Sequence, residues 1–136
     1  MKKILLLIIC TYSSLVSYSQ TARDYLRIAI EMDNKGNTKS ALQFFNKAIE
    51  IDPNFSEAYC KRGYFKQTLG KANNYTEAIA DLSKAIELNV NSGEAYFKRG
   101  ITYLNMGDKT KACIDWRKAK ELQYPEVESF IKDECK

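Results

Sequence analysis

Small and bulky apolar residues alternate with polar ones at helical spacing in three similar stretches of the chain. From Ser40 the sequence reads SALQFFNKAIEID, from Glu77 EAIADLSKAIELN and from Lys111 KACIDWRKAKELQ. Each stretch carries two alanines seven residues apart (Ala41 and Ala48, Ala78 and Ala85, Ala112 and Ala119) around a bulky Phe45, Leu82 or Trp116. Seven residues is nearly two turns, so both alanines lie on one helix face, where small side chains let a second helix approach closely. Another repeating helix precedes each of these: RDYLRIAIEMDNKG from Arg23, EAYCKRGYFKQTLG from Glu57 and EAYFKRGITYLNMG from Glu94. In these, Tyr25 precedes Ala29, Tyr59 precedes Gly63 and Tyr96 precedes Gly100, each by four residues. A glycine inside a helix costs about 1 kcal/mol relative to alanine, so its recurrence points to a close helix crossing.

The unit length follows from the spacing. Gly36 to Gly70 and Ala78 to Ala112 are each 34 residues apart, whereas Gly70 to Gly107 and Ala41 to Ala78 are each 37. A three-residue insertion therefore lies between Gly70 and Ala78, and Lys71-Ala72-Asn73-Asn74 is expected to lengthen that turn. Gly36, Gly70 and Gly107 are placed to end the first helices in a left-handed conformation. Asn54, Asn74 and Asn91 each precede a glutamate by three residues (Glu57, Glu77 and Glu94), which predicts an asparagine form of the capping box. Pro53 and Pro125 stop second helices. Val127, Phe130 and Ile131 recur at helical spacing, so residues 125–135 are expected to form a short helix covering the last hairpin.

The first residues are of another kind. Met1-Lys2-Lys3 is a basic start, Ile4 to Cys10 is an apolar run, and Ser17 and Ser19 put small residues ahead of Gln20. This predicts a secretory signal peptide over residues 1–19, cleaved after Ser19, and an exported protein, periplasmic or secreted. A lipoprotein leader with Cys10 as acceptor is disfavoured by bulky Ile9 just before it. No run approaches the roughly 20 apolar residues of a membrane span. Residues 20–136 are then one domain, of a size that buries roughly two-thirds of its unfolded surface without metals.

Charge and composition narrow the chemistry. The 136 residues include 21 Lys and Arg against 17 Asp and Glu, a formal net charge of +4 that falls to two once Lys2 and Lys3 are removed. So small and dispersed an excess does not imply nucleic acid. With no histidine the commonest general base and metal ligand are missing, and we expect no catalytic, cofactor-binding or metal site.

The 34-residue hairpin with its bulky, small, tyrosine, alanine, aromatic, alanine and proline positions resembles the tetratricopeptide repeat (TPR). The resemblance runs over residues 22–55, 56–92 with the insertion, and 93–126. It implies an all-α fold: an α-solenoid of three antiparallel helix hairpins plus the C-terminal capping helix. Departures are Ala29 in place of glycine, Val90 in place of proline and the displaced Pro125.

Proteins resembling this family are non-catalytic scaffolds that hold a segment of another protein on the concave side, lined by the first helix of each hairpin. The stripes there read Leu26, Ile30 and Asp33, then Cys60, Tyr64 and Gln67, then Phe97, Ile101 and Leu104. Side by side they predict an apolar groove, greasier toward the third repeat, for a protein or peptide partner. Plain packing of some of these side chains, Leu26 and Ile30 first, is the competing reading. A basic row of Arg27, Lys61 and Lys98, with Arg62 and Arg99 beside it, either holds a partner carboxylate or pairs with Glu57 and Glu94 four residues before Lys61 and Lys98. The second is favoured, because exposed charge rows are usually solvated. Some members grip the C-terminal carboxylate of chaperones with a clamp of lysines, asparagines and an arginine. Here Leu26 and Ile30 stand at two clamp positions, Lys61 replaces an asparagine and Glu94 a lysine, so that partner class is not expected. The alternative function is self-association as a homo-oligomer through the groove or the first-repeat face.

Three cysteines, Cys60, Cys113 and Cys135, follow the leader. An antiparallel cap helix would set Cys113 beside Cys135 and make them a candidate disulfide, though helical cysteines are more often buried small hydrophobes. Cys60 has no base beside it and is not read as catalytic.

Overall fold

Short polar side chains at four helix starts set where the chain begins to coil in the computed structural model, which describes residues 20–136. Thr21 and Asp24 form a reciprocal capping box that opens α1 (Ala22–Asn34). The Ser40 N–H donates to Asn37 Oδ1 (3.2 Å) at the start of α2 (Thr38–Ile51). Helix α3 (Ser56–Thr68) and α4 (Ala72–Leu88) follow, neither with a side-chain cap. The Ala95 N–H donates to Ser92 Oγ (3.2 Å) to open α5 (Gly93–Asn105), and the Lys111 N–H to Asp108 Oδ1 (3.0 Å) to open α6 (Lys109–Glu121). The last helix is α7 (Val127–Glu134).

Two local expectations are corrected. Asn54 and Asn91 are not caps: their N–H groups donate to Asp52 Oδ1 and Asn89 Oδ1 in tight turns (3.0 and 3.1 Å), and the helices begin two residues later. Asn74 already lies inside α4, so the inserted residues extend that helix to 17 residues rather than lengthening the turn. The turn needs no extra length, because Gly70, like Gly36 and Gly107, turns the chain at positive φ (66°, 71° and 82°).

The hairpins α1/α2, α3/α4 and α5/α6 pack in sequence, with α2 against α3, α4 against α5 and α6 against α7. The described residues thus form an all-α stack of three helix hairpins closed by a seventh helix. The alanines are its contact points: Ala41, Ala48, Ala78, Ala85, Ala112 and Ala119 are all fully buried. Within the second and third hairpins the glycine admits the partner helix. A Cβ on Gly63 would lie 2.8 Å from Leu82 Cγ, and one on Gly100 2.5 Å from Trp116 Nε1. The indole fills the room that glycine leaves and donates to the Phe97 carbonyl (3.2 Å).

Charged staples tie the second and third hairpins to their predecessors. Arg62 forms a two-pronged ion pair with buried Asp81 on its own hairpin (2.8 and 2.6 Å) and donates to Asn46 on the preceding one (2.8 Å). Arg99 repeats this with Asp115 (2.8 Å, twice) and Ser83 (3.0 Å). Hydrogen bonding to Asp115 holds the Arg99 pKa above its ordinary value, outweighing the opposing effect of burial. Arg62 and Arg99 therefore belong to the repeat junctions rather than to the basic row. Ile28 and Phe44 occupy the corresponding places in the first hairpin, where no preceding repeat exists to be tied.

Candidate functional site

The first helices α1, α3 and α5 share one face, and a ladder of charges crosses it. Arg23 on α1 pairs with Glu57 on α3 (3.3 Å), and Lys61 on α3 pairs with Glu94 on α5 (2.8 Å). Lys98 reaches the same Glu94 carboxylate (3.6 Å) and sets its ammonium 3.4 Å above the Tyr64 ring centre. Burial lowers the affinity of Lys61 for its proton, but the hydrogen bond and charge of Glu94 outweigh that and leave its pKa above the usual value. The two lysines at the centre of this face share the single Glu94 carboxylate, which leaves one positive charge in excess there. Reading each helix alone suggests pairs four residues apart. Of those, Glu94 to Lys98 is present, whereas Glu57 turns to Arg23, 34 residues away. The recurring spacing of opposite charges at about one repeat length was the available signal.

Two clefts open beside the ladder. One of about 270 Å³ is lined by Arg23, Leu26, Arg27, Ile30 and Glu57. The other, about 370 Å³, lies at the N-terminal ends of α3 and α5, between Glu57, Cys60, Ser92 and Glu94. Phe55 at its edge carries the Arg23 guanidinium 5.3 Å above its ring.

Models described as tetratricopeptide repeat match residues 22–55, 44–80 and 94–126, and one described as TPR repeat matches 71–107. The chain is a tetratricopeptide-repeat protein. An uncharacterized protein of Methanocaldococcus jannaschii is 37% identical over 57 residues, which span 42% of this chain and 63% of that protein. The fold is similar to that of the Arabidopsis OM64 TPR domain, with a TM-score of 0.76 and 20% identity over 82% of this chain and 92% of that one. It is also similar to the first TPR of Spaghetti (RPAP3) bound to the HSP90 peptide SRMEEVD (TM-score 0.75, 21% identity, 84% and 88% covered). YrrB, described as a TPR protein with an unusual peptide-binding site, gives 0.72 at 20% identity, with 83% and 57% covered.

Within this TPR protein the expected groove residues divide. Tyr64 is exposed (39%), and Gln67, Ile101, Leu104, Lys61 and Lys98 are partly so. Phe97 (5% exposed) is core instead and is corrected as a groove contact, whereas Cys60 (3%) is buried at the wall of the second cleft. Phe97 is covered by Tyr124 and Phe130, whose rings lie 5.0 Å away, because α7 fills the place a fourth repeat would take. Ile101 and Leu104 pack against the same cluster. The third repeat is thus the covered end, and the open apolar cleft sits at the first, beside Ile30.

Cys60 is the one free cysteine among the described residues. Burial, helped by the negative charge of Glu94, pushes its thiol up to about 12, so it stays protonated at ordinary pH. Iodoacetamide at pH 8 is therefore expected to leave Cys60 unmodified in the folded protein and to label it in denaturant, as intact mass will show. Cys113 and Cys135 are joined as a disulfide. Among the described residues no cluster of three or more Cys, Asp or Glu is arranged to hold a metal, and no helix is long and apolar enough to cross a membrane. The residues of the expected signal peptide, Cys10 included, lie outside the described ones.

Proposed function

We propose that this TPR protein is a non-catalytic scaffold that holds a segment of a partner protein across the face of α1, α3 and α5. The observation that carries this reading is the pairing of an open cleft beside Ile30, floored by buried Leu26, with a neighbouring surface, around Tyr64, whose two lysines share the one Glu94 carboxylate. Such a surface recognises apolar anchors, and its one residual positive charge suits a single carboxylate rather than a cluster of them. The acidic peptide held by the Spaghetti domain is thus a poor guide to this partner: Lys61 and Lys98 are engaged, and Leu26 and Ile30 put hydrocarbon where a clamp needs polar groups.

End-to-end stacking of copies through the first repeat is disfavoured. Asp24 stands on the outer face of α1 where Ala58 and Ala95 are fully buried at the two internal junctions, so a second copy stacking there would bury a carboxylate. Export fits the apolar leader and the Cys113–Cys135 disulfide, which persists in an oxidising compartment.

The test compares binding of a captured partner to variants of the exposed face. Ile30→Glu and Tyr64→Glu are each expected to weaken it at least about tenfold, roughly 1.4 kcal/mol, and Gln43→Glu on exposed α2 to leave it unchanged. Equal affinity in all three, with helicity preserved, contradicts the assignment.

A further inference from the structure

The structure assigns a second, independent site: we propose that the Cys113–Cys135 disulfide is a thiol–disulfide exchange site that latches α7, so that reduction by a dithiol releases the cap from an otherwise intact stack. Three observations converge on it. The bond joins the first half of α6 to the residue just past the end of α7, with 22 residues of sequence separation. Helix α7 has only eight residues, well short of the roughly 12–15 that sustain a helix alone in water. Its hold on the stack is small: buried Val127, the Phe130 ring set 5.0 Å from Phe97 and 5.2 Å from Trp116, half-buried Ile131, and the exposed ion pairs Lys120–Glu128 (3.1 Å) and Lys109–Glu134 (3.2 Å).

The third observation is access. A surface cleft of about 380 Å³ is lined by both cysteines together with Thr110, Ile114, Arg117, Glu134 and Lys136. Ile114 is 59% exposed, an apolar contact beside the bond with no packing role of its own. Arg117 and Lys136 supply positive charge that draws in an attacking thiolate and favours a thiolate leaving group.

The exchange balances without any further reactant. A thiolate of the dithiol attacks Cys135 Sγ, the less buried of the two cysteines, forming a mixed disulfide as the bond to Cys113 breaks and Cys113 leaves as a thiolate. The second thiol of the reductant then attacks its own sulfur in the mixed disulfide, freeing Cys135. Two electrons and two protons pass to the protein, and the dithiol ends as its cyclic disulfide. Opening of α7 no longer has to occur within a closed loop, and the Phe97, Trp116 and Phe130 surface becomes reachable.

Amide hydrogen exchange of the oxidised protein and of the protein held in dithiothreitol tests this, read beside far-UV circular dichroism and acrylamide quenching of Trp116, the single tryptophan. The expected result is that amides of residues 127–134 exchange about 300-fold faster after reduction, as the loop-entropy argument gives for a separation of 22 residues. Trp116 should quench more readily, while α1–α4 exchange as before. Cys135→Ser without reductant should reproduce that pattern. Arg117→Glu with Lys136→Glu should slow reduction several-fold. The proposal is overturned if α7 stays as protected after reduction, if protection falls throughout the chain together, or if the disulfide reacts only in denaturant.

Discussion

Gly100→Val is expected to destabilise the protein at the upper end of the roughly 1–3 kcal/mol that overpacking a core costs, or beyond it. The valine Cβ alone would meet Trp116 Nε1 at 2.5 Å, Trp116 Cδ1 at 2.6 Å and the Ala112 carbonyl at 3.1 Å. The indole has nowhere to go. It is fully buried, bonded to the Phe97 carbonyl and tilted against Phe130, so relief requires α5 and α6 to move apart. Gly63→Val supplies the comparison: its Cβ would meet the Leu82 branch carbon at 2.8 Å and the Ala78 carbonyl and Asp81 Cβ at 3.1 Å each, so it is costly too but expected to lose less than Gly100→Val. Urea unfolding with a common m-value will rank the two, and comparable losses would show that the α5/α6 crossing is not the tighter one.

Asp115→Ala is expected to cost about 3 kcal/mol, because it leaves the Arg99 guanidinium without its partner in a largely dry junction. The value sits at the low end of the range for broken buried pairs, since Arg99 keeps some solvent contact and its bond to Ser83. Removing both charges at once behaves differently. Arg99→Ile with Asp115→Phe should recover most of the loss, since Ile28 and Phe44 already fill these two places in the first hairpin with hydrocarbon. A double variant as unstable as Asp115→Ala would mean that the junction depends on the ion pair itself rather than on filling the space.

What the sequence made legible is what repeats within single helices. The alanine pairs, the tyrosine and glycine four apart, and the terminal glycines each encode a local geometric demand, and the hairpins meet all of them. The asparagine caps failed because Asp52 and Asn89 compete for the same turns and hold Asn54 and Asn91 outside the helix. The inserted residues joined α4 because nothing in Ala72-Asn73-Asn74 prevents coiling once Gly70 has turned the chain. The candidate site was harder to read, since its properties arise between repeats. Whether Phe97 faces solvent depends on where α7 lands, and whether Lys61 is free depends on Glu94 in the next hairpin. Spacing within one helix carries neither fact.

The central claim is that the shared face of the first helices holds the partner, and site-specific photocrosslinking tests it most directly. A photoreactive phenylalanine analogue at Ile30 or at Tyr64 is expected to trap the same partner polypeptide, whereas the analogue at Gln43 or Ile51, exposed on α2, traps none. Adducts formed from α2 but not from positions 30 and 64 would contradict the account.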